Sequence, residues 1–134
     1  MAEDDFTGGC MCGALRYRAR GEPIRVGICH CETCRRNTGA PFAVFAVFRR
    51  DRVTIESGET AFHQSSPASR RHFCKQCGSP VYSLWSGSAD IDVYLGSLDT
   101  PEKLAPSYEL WTVRRQPWLP DMPEHTLYEH DRPE

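Results

Sequence analysis

The sequence predicts an all-β domain, and three observations carry that prediction. Short alternating or β-branched runs recur along the chain. Turn signals separate them at a spacing of about 8–12 residues. Seven cysteines gather in three tight clusters, as in small domains stapled by metal. The chain has 134 residues, 40% of them apolar and 25% charged, with a formal net charge of −2. That composition fits one globular domain and lies away from the disordered corner. The net field does not mark a nucleic-acid binder. No apolar run approaches the roughly 18 residues of a membrane span. Residues 1–6 are acidic where a secretory signal would start basic. The expected location is the cytoplasm, where thiols stay reduced.

Residues 1–7 read as an acidic tail, running into a glycine-flanked cysteine turn over 7–13. Residues 14–19 alternate, with Leu15, Tyr17 and Ala19 on one face and Arg16 and Arg18 on the other, as a half-buried strand does. After the break at Gly21-Glu22-Pro23, residues 24–28 form a short strand that feeds the second cysteine cluster. Residues 32–37 are polar and fit one helical turn, closed by Gly39 and Pro41. Residues 42–48 are aromatic and β-branched, rich in strand formers. A strand over 53–55 follows a basic turn, and 60–64 with 70–73 form a hairpin around Ser65-Ser66-Pro67. Residues 81–85 are a strand, as are the alternating Ile91, Val93 and Leu95. Residues 99–103 read as a capped helical turn with Pro101 near its first position. Residues 108–113 are a late strand. The main domain spans 8–120, and 121–134 read as a loose tail.

Seven thiols cannot all pair within one chain, and close clustering in a reduced compartment points to metal. Cys74-x-x-Cys77-Gly78 places two thiolates on a tight turn within reach of one Zn²⁺. A structural zinc takes four ligands, and Cys10-x-Cys12 is the candidate second pair. Joining the pairs closes a long loop between the ends of the sheet. Cys29, Cys31 and Cys34 remain, and three thiolates with one position left is the arrangement of a catalytic zinc. Spacing alone also admits His30 or His72 as the fourth ligand of a closed site, or another partition of the cysteines. His30 lies between two ligands on an extended chain, so its side chain should point away from the metal.

The cysteines belong to a wider pattern. The segments are Gly9-Cys10-x-Cys12-Gly13-Ala14-Leu15-Arg16-Tyr17, Cys29-His30-Cys31-x-x-Cys34-Arg35, Gly39-Ala40-Pro41-Phe42, Arg71-x-Phe73-Cys74-x-x-Cys77-Gly78-Ser79-Pro80 and Gly96-Ser97-Leu98-Asp99. Together they resemble the family of glutathione-dependent formaldehyde-activating enzymes and centromere protein V, from about Gly8 to Leu119. The resemblance implies a β-tent fold of small antiparallel sheets held by zinc, with one or two short helical turns. It implies two zinc ions per chain, a structural one on Cys10, Cys12, Cys74 and Cys77 and a catalytic one on Cys29, Cys31 and Cys34. The implied activity is a carbon–sulfur lyase reaction, formaldehyde condensing with glutathione to S-hydroxymethylglutathione. Its partners would be a small thiol, glutathione or another, and an aldehyde. Many members carry His-Ile-Trp where this chain has Tyr108-Glu109-Leu110-Trp111. If Glu109 faces the open metal position, it disfavours a carboxylate-bearing thiol.

Fourteen arginines against two lysines make carboxylate recognition a second theme. Arg35 and Arg71, beside the clusters, are candidates to hold the carboxylates of a thiol substrate, against a competing reading as solvated surface pairs. His30 and His72 are the nearest candidates for a general acid, against a competing reading as packing residues. Arg49, Arg50 and Arg52 form the densest basic run, but no basic stripe with aromatics emerges, so nucleic acid is not an expected partner. A homo-oligomer is left open. Two alternatives stand beside the enzyme: a non-catalytic zinc-stapled binding module, and a thiol or redox sensor whose middle cluster oxidises and releases its metal.

Overall fold

The structure, a computed structural model, describes residues 5–133. Its strands are β1 (Phe6–Gly9), β2 (Arg16–Ala19), β3 (Arg25–Cys29), β4 (Ala43–Arg49), β5 (Val53–Ser57), β6 (Thr60–Ser66), β7 (Ser69–Cys74), β8 (Pro80–Trp85), β9 (Asp90–Tyr94), β10 (Tyr108–Leu110) and β11 (Thr126–Leu127), with one α-helix, α1 (Glu32–Thr38). They form a three-stranded sheet ordered β1-β2-β5 and an eight-stranded sheet ordered β11-β10-β3-β4-β9-β8-β7-β6. The all-β expectation holds. The larger sheet is not wholly antiparallel, because β10 runs parallel to β3 and β11 parallel to β10. Among the described residues no helix is long and apolar enough to cross a membrane.

The alternation of β2 does what period-2 patterning dictates. Leu15, Tyr17 and Ala19 are buried and meet Phe6, Phe48, Val81 and Val93 in a core shared by the two sheets. A second cluster, with Phe45, Val47, Tyr94 and Tyr108, lies beside Cys29 and Cys34. α1 runs for seven residues, longer than a single turn. Its first turn is capped by the Cys31 sulfur, which accepts the Cys34 N–H at 3.3 Å. Gly39 ends it at φ 73°, a left-handed position that glycine takes without strain.

Three local expectations are corrected. The stretch read as a loose tail carries β11, and its backbone is bonded onward: Tyr128 N–H to Glu109, Trp111 N–H to His130 and Thr112 N–H to Tyr128. Parallel edge pairing of this kind leaves no local pattern in a sequence. Phe6, inside the stretch read as an acidic tail, starts β1 and packs against Phe48. Residues 101–103 form a 3₁₀ turn without a side-chain cap, because Asp99 is engaged by Thr7 and Arg16.

β10 seats on β3 through one glycine. Gly27 is the register partner of Tyr108, and a Cβ built on Gly27 would overlap the Tyr108 ring. Gly27→Ala is therefore expected to destabilise the fold by about 1–3 kcal/mol through overpacking. Denaturant unfolding reads the loss, and an unchanged midpoint would mean that β10 does not depend on this contact.

Candidate functional site

The first and third cysteine clusters come together across the two sheets. Cys10 and Cys12 lie in the turn between β1 and β2, and Cys74 and Cys77 bracket the turn between β7 and β8. All four sulfurs lie within 4.8 Å of one another. A tetrahedron with sulfur–zinc bonds of about 2.3 Å has sulfurs about 3.8 Å apart. Cys10 and Cys12 are 3.5 Å apart, Cys12 and Cys74 3.9 Å. Backbone N–H groups of Leu15 and Cys77 point at the Cys10 and Cys74 sulfurs at 3.3 and 3.4 Å, as donors to thiolates do. Hydrogen bonds from Ser79 pull the Cys77 thiol down to about 5. The donor set and spacing fit a closed four-thiolate metal site.

The middle cluster sits where β3 runs into α1. The Cys29, Cys31 and Cys34 sulfurs also lie within 4.8 Å of one another, and no His, Asp or Glu among the described residues completes the group. Hydrogen bonds from Cys29 and Cys34 pull the Cys31 thiol down to about 2, and the same contacts push Cys29 up. Such staggering marks three sulfurs that cannot all ionise without a cation. Three thiolates around a divalent metal leave one negative charge, and the buried Arg71 guanidinium sits beside it, Nη1 at 3.6 Å from the Cys34 sulfur. Burial works against the Arg71 charge, but Cys34 and Tyr94 favour it more, and its pKa is raised.

All three sulfur-bearing residues line a cavity of about 360 Å³. Its floor is one face of the large sheet. Arg71, Ser83 and Asp92 are successive cross-strand partners on β7, β8 and β9, while Trp85 is the partner of Ser69 and Tyr94 of Phe45. Its other wall carries Trp111 and Asp131. Trp111 is the one non-glycine residue with positive φ among those described, at 57°, and its Nε1–H donates to Asp131 Oδ1 at 2.9 Å. That conformation ends β10 earlier than the strand expected over 108–113.

The expected site residues fall unevenly. Arg71 lines the cavity, but its guanidinium is committed to Cys34 and to Ser65, Nε at 3.0 Å. Arg35 lies outside the lining, and Arg114 is the guanidinium at the rim. His30 does point away from the cysteines: it is buried, Nε2 at 2.7 Å from Glu109 Oε1. His72 is stacked on Tyr82 at 4.6 Å with Nδ1 on the Thr60 hydroxyl. Neither histidine reaches the cavity, so both are packing residues. Glu109 does not face the open metal position. It is 1% exposed, held by His30, by His125 at 2.9 Å and by Arg115 at 3.3 Å. Asp92 also lines the cavity, although its place between Ile91 and Val93 looks in the sequence like an ordinary outward position.

Fold and site together define a mostly β-sheet protein with two cysteine clusters, each able to hold a metal ion, one of them opening on a cavity. The family model of glutathione-dependent formaldehyde-activating enzymes matches residues 5–114, and the chain belongs to that family. An uncharacterized lyase of Schizosaccharomyces pombe is 35% identical over 82 residues, covering 61% of this chain and 59% of its own length. A Halomonas elongata protein provisionally named as a glutathione-dependent formaldehyde-activating enzyme is 32% identical over 89 residues, covering 60% of this chain and 54% of its own. The matches thus span little more than half the length of these relatives. A crystal structure of a Rhodobacter sphaeroides protein superposes with a TM-score of 0.58 at 23% identity, covering 69% of this chain and 87% of that one, which shows the fold alone.

Proposed function

We propose that this protein is a zinc-dependent carbon–sulfur lyase of the cytoplasm that forms or cleaves the adduct of a small thiol and an aldehyde, with glutathione and formaldehyde as the model pair. The observation that carries the reading is a three-cysteine cluster open to a cavity. Cys10, Cys12, Cys74 and Cys77 would hold a structural zinc, and Cys29, Cys31 and Cys34 a catalytic one. When bound there, zinc supplies Lewis acidity and favours the anionic form of sulfur. The chain's own residues do the rest. Arg71 offsets the excess thiolate charge, so that a further anionic sulfur is not repelled. Trp85 and Trp111 wall the cavity and exclude water from the C–S bond, while Ser65, Ser69 and Ser83 offer hydroxyls to a polar ligand. Arg114 at the rim is placed for a ligand carboxylate.

Cys31→Ser tests the reading. It is expected to lower metal content by about one equivalent and to leave the melting temperature within a few degrees, because the fold is closed by the other cluster. Exchange between free and adduct ¹³C-formaldehyde with glutathione, followed by NMR, should be accelerated by the native protein and not by the variant. Native protein that leaves the spontaneous exchange rate unchanged would overturn the assignment.

A further inference from the structure

We propose that Tyr94 is a catalytic residue: its hydroxyl, backed by that of Ser83, donates the hydrogen bond that the aldehyde oxygen needs as it turns into an alkoxide. The inference rests on the thiol–aldehyde reading above. It fills the polar role that His30 and His72 leave open, since neither histidine reaches the cavity whereas Tyr94 and Ser83 both line it. In the forming direction the thiolate sulfur bonds the aldehyde carbon, and the C=O π pair moves onto oxygen. The proton released by the thiol returns to that oxygen through water. In the cleaving direction the oxygen loses the proton, the C=O bond reforms and the C–S pair leaves on sulfur. Tyr94 stays a neutral phenol throughout and stabilises the oxygen where charge gathers.

Sheet and helix both bring Tyr94 to the cysteine end of the cavity. Cys29 pairs with Ala43, and Tyr94 pairs with Phe45, two residues on and about 7 Å along the strand. Asp92 pairs with Val47, four residues on from Ala43 and about 14 Å along. The Tyr94 side chain belongs to the buried cluster that contains Cys29 and Cys34. From α1, Asn37 Nδ2–H donates to Tyr94 Oη at 2.6 Å, and Asn37 stands three residues after Cys34 on the same helix face. From β7, the Arg71 guanidinium, at 3.6 Å from the Cys34 sulfur, also acts on the Tyr94 hydroxyl. Two elements tied to the cysteine cluster thus meet on one phenol oxygen.

The proton of that phenol is left for the cavity. Asn37 and Arg71 offer only donors, so the oxygen faces them as an acceptor and its own O–H turns to Ser83 Oγ at 3.0 Å. Ser83 is buried, and its hydroxyl has no second hydrogen-bond partner among the described residues. Two hydroxyls joined to each other hold two protons and share one bond, which leaves one proton for a ligand oxygen. A buried donor without an acceptor is unfavourable, and the arriving oxygen relieves it. Burial raises the Tyr94 pKa above the ordinary phenol value, against the pull of Ser83 and Arg71, so the group keeps its proton at neutral pH.

Tyr94→Phe keeps the ring and removes only the hydroxyl. In exchange of ¹³C-formaldehyde with glutathione, the zinc-loaded full chain carrying it should lose about a hundredfold in kcat and little in KM, as sites do on losing one oxyanion donor. Binding reads the same hydrogen bond without turnover. S-acetylglutathione carries an oxygen two bonds from sulfur, and S-isopropylglutathione carries a methyl group there. In calorimetric titration, the ratio of acetyl to isopropyl affinity should fall by about threefold to tenfold from native protein to Tyr94→Phe. Ser83→Ala, which leaves the bond between Tyr94 and Asn37 in place, should shift kcat and the ratio the same way. A folded Tyr94→Phe that keeps either native value would overturn the role of Tyr94 and leave the thiol reading standing. Should that variant fail to fold, the same two values in Ser83→Ala decide. Native protein that neither speeds the exchange nor binds either ligand would overturn the thiol reading, and this inference with it.

Discussion

Cys77→Ser is expected to unfold the protein or nearly so. The four sulfurs of its cluster join the β1–β2 turn of the small sheet to the β7–β8 turn of the large one, so the metal they hold would be a clamp between sheets. Structural zinc contributes about 10–16 kcal/mol of apparent binding free energy, while whole domains are stable by about 5–15 kcal/mol. Losing one of four ligands therefore weakens a term as large as the total. Thermal melting with parallel metal analysis gives the result. Chelation of the native protein should reproduce it, and Cys31→Ser should not. A Cys77→Ser protein that melts cooperatively at the native midpoint would remove the clamp.

What the sequence revealed and what it hid divide along physical lines. Sulfur spacing is local chemistry, so the three tight cysteine clusters are legible in the order of residues, whereas the fold is what selects, among the partitions that spacing admits, Cys10 and Cys12 with Cys74 and Cys77, and Cys29, Cys31 and Cys34 by themselves. Alternation is local too, and β2 and β9 follow it. The pairing of β10 with β3 and of β11 with β10 is set by register across long stretches of chain and left no trace. Asp92 was hidden for a related reason. In an alternating strand a polar residue reads as solvent-facing, yet here that face is roofed by α1 and by the segment around Trp111. Alternation could not place Glu109 along 108–111. The left-handed turn at Trp111 breaks the period, and both Tyr108 and Glu109 are buried because β10 is covered on both faces.

Glu109 carries the other large expected effect, on stability and not on ligand charge. Its carboxylate is fully buried among His30, His125 and Arg115, so it ties the loop of the middle cysteines to the C-terminal segment. Burial pushes its pKa up, but the hydrogen bonds from His30 and His125 outweigh that and hold it below the ordinary carboxylate range. A depressed folded value means that the stabilisation is present above the unfolded value, about pH 4.3, and is lost as pH falls through the folded one. Glu109→Ala should then cost about 3–5 kcal/mol at neutral pH, because a guanidinium and two imidazoles lose their shared acceptor in a buried site. The release of His30, which lies between Cys29 and Cys31, should also weaken metal binding at the middle cluster by about tenfold or more. Glu109→His places a third imidazole beside Arg115 and should destabilise as well. It should leave the glutathione affinity of the folded protein nearly unchanged, since Glu109 does not line the cavity. Denaturant unfolding between about pH 2.5 and pH 7.5 measures the first effect, metal competition the second and calorimetry the third. An alanine variant as stable as native protein, or a histidine variant that binds glutathione more tightly, would mean that the buried carboxylate is not the tie between loop and tail.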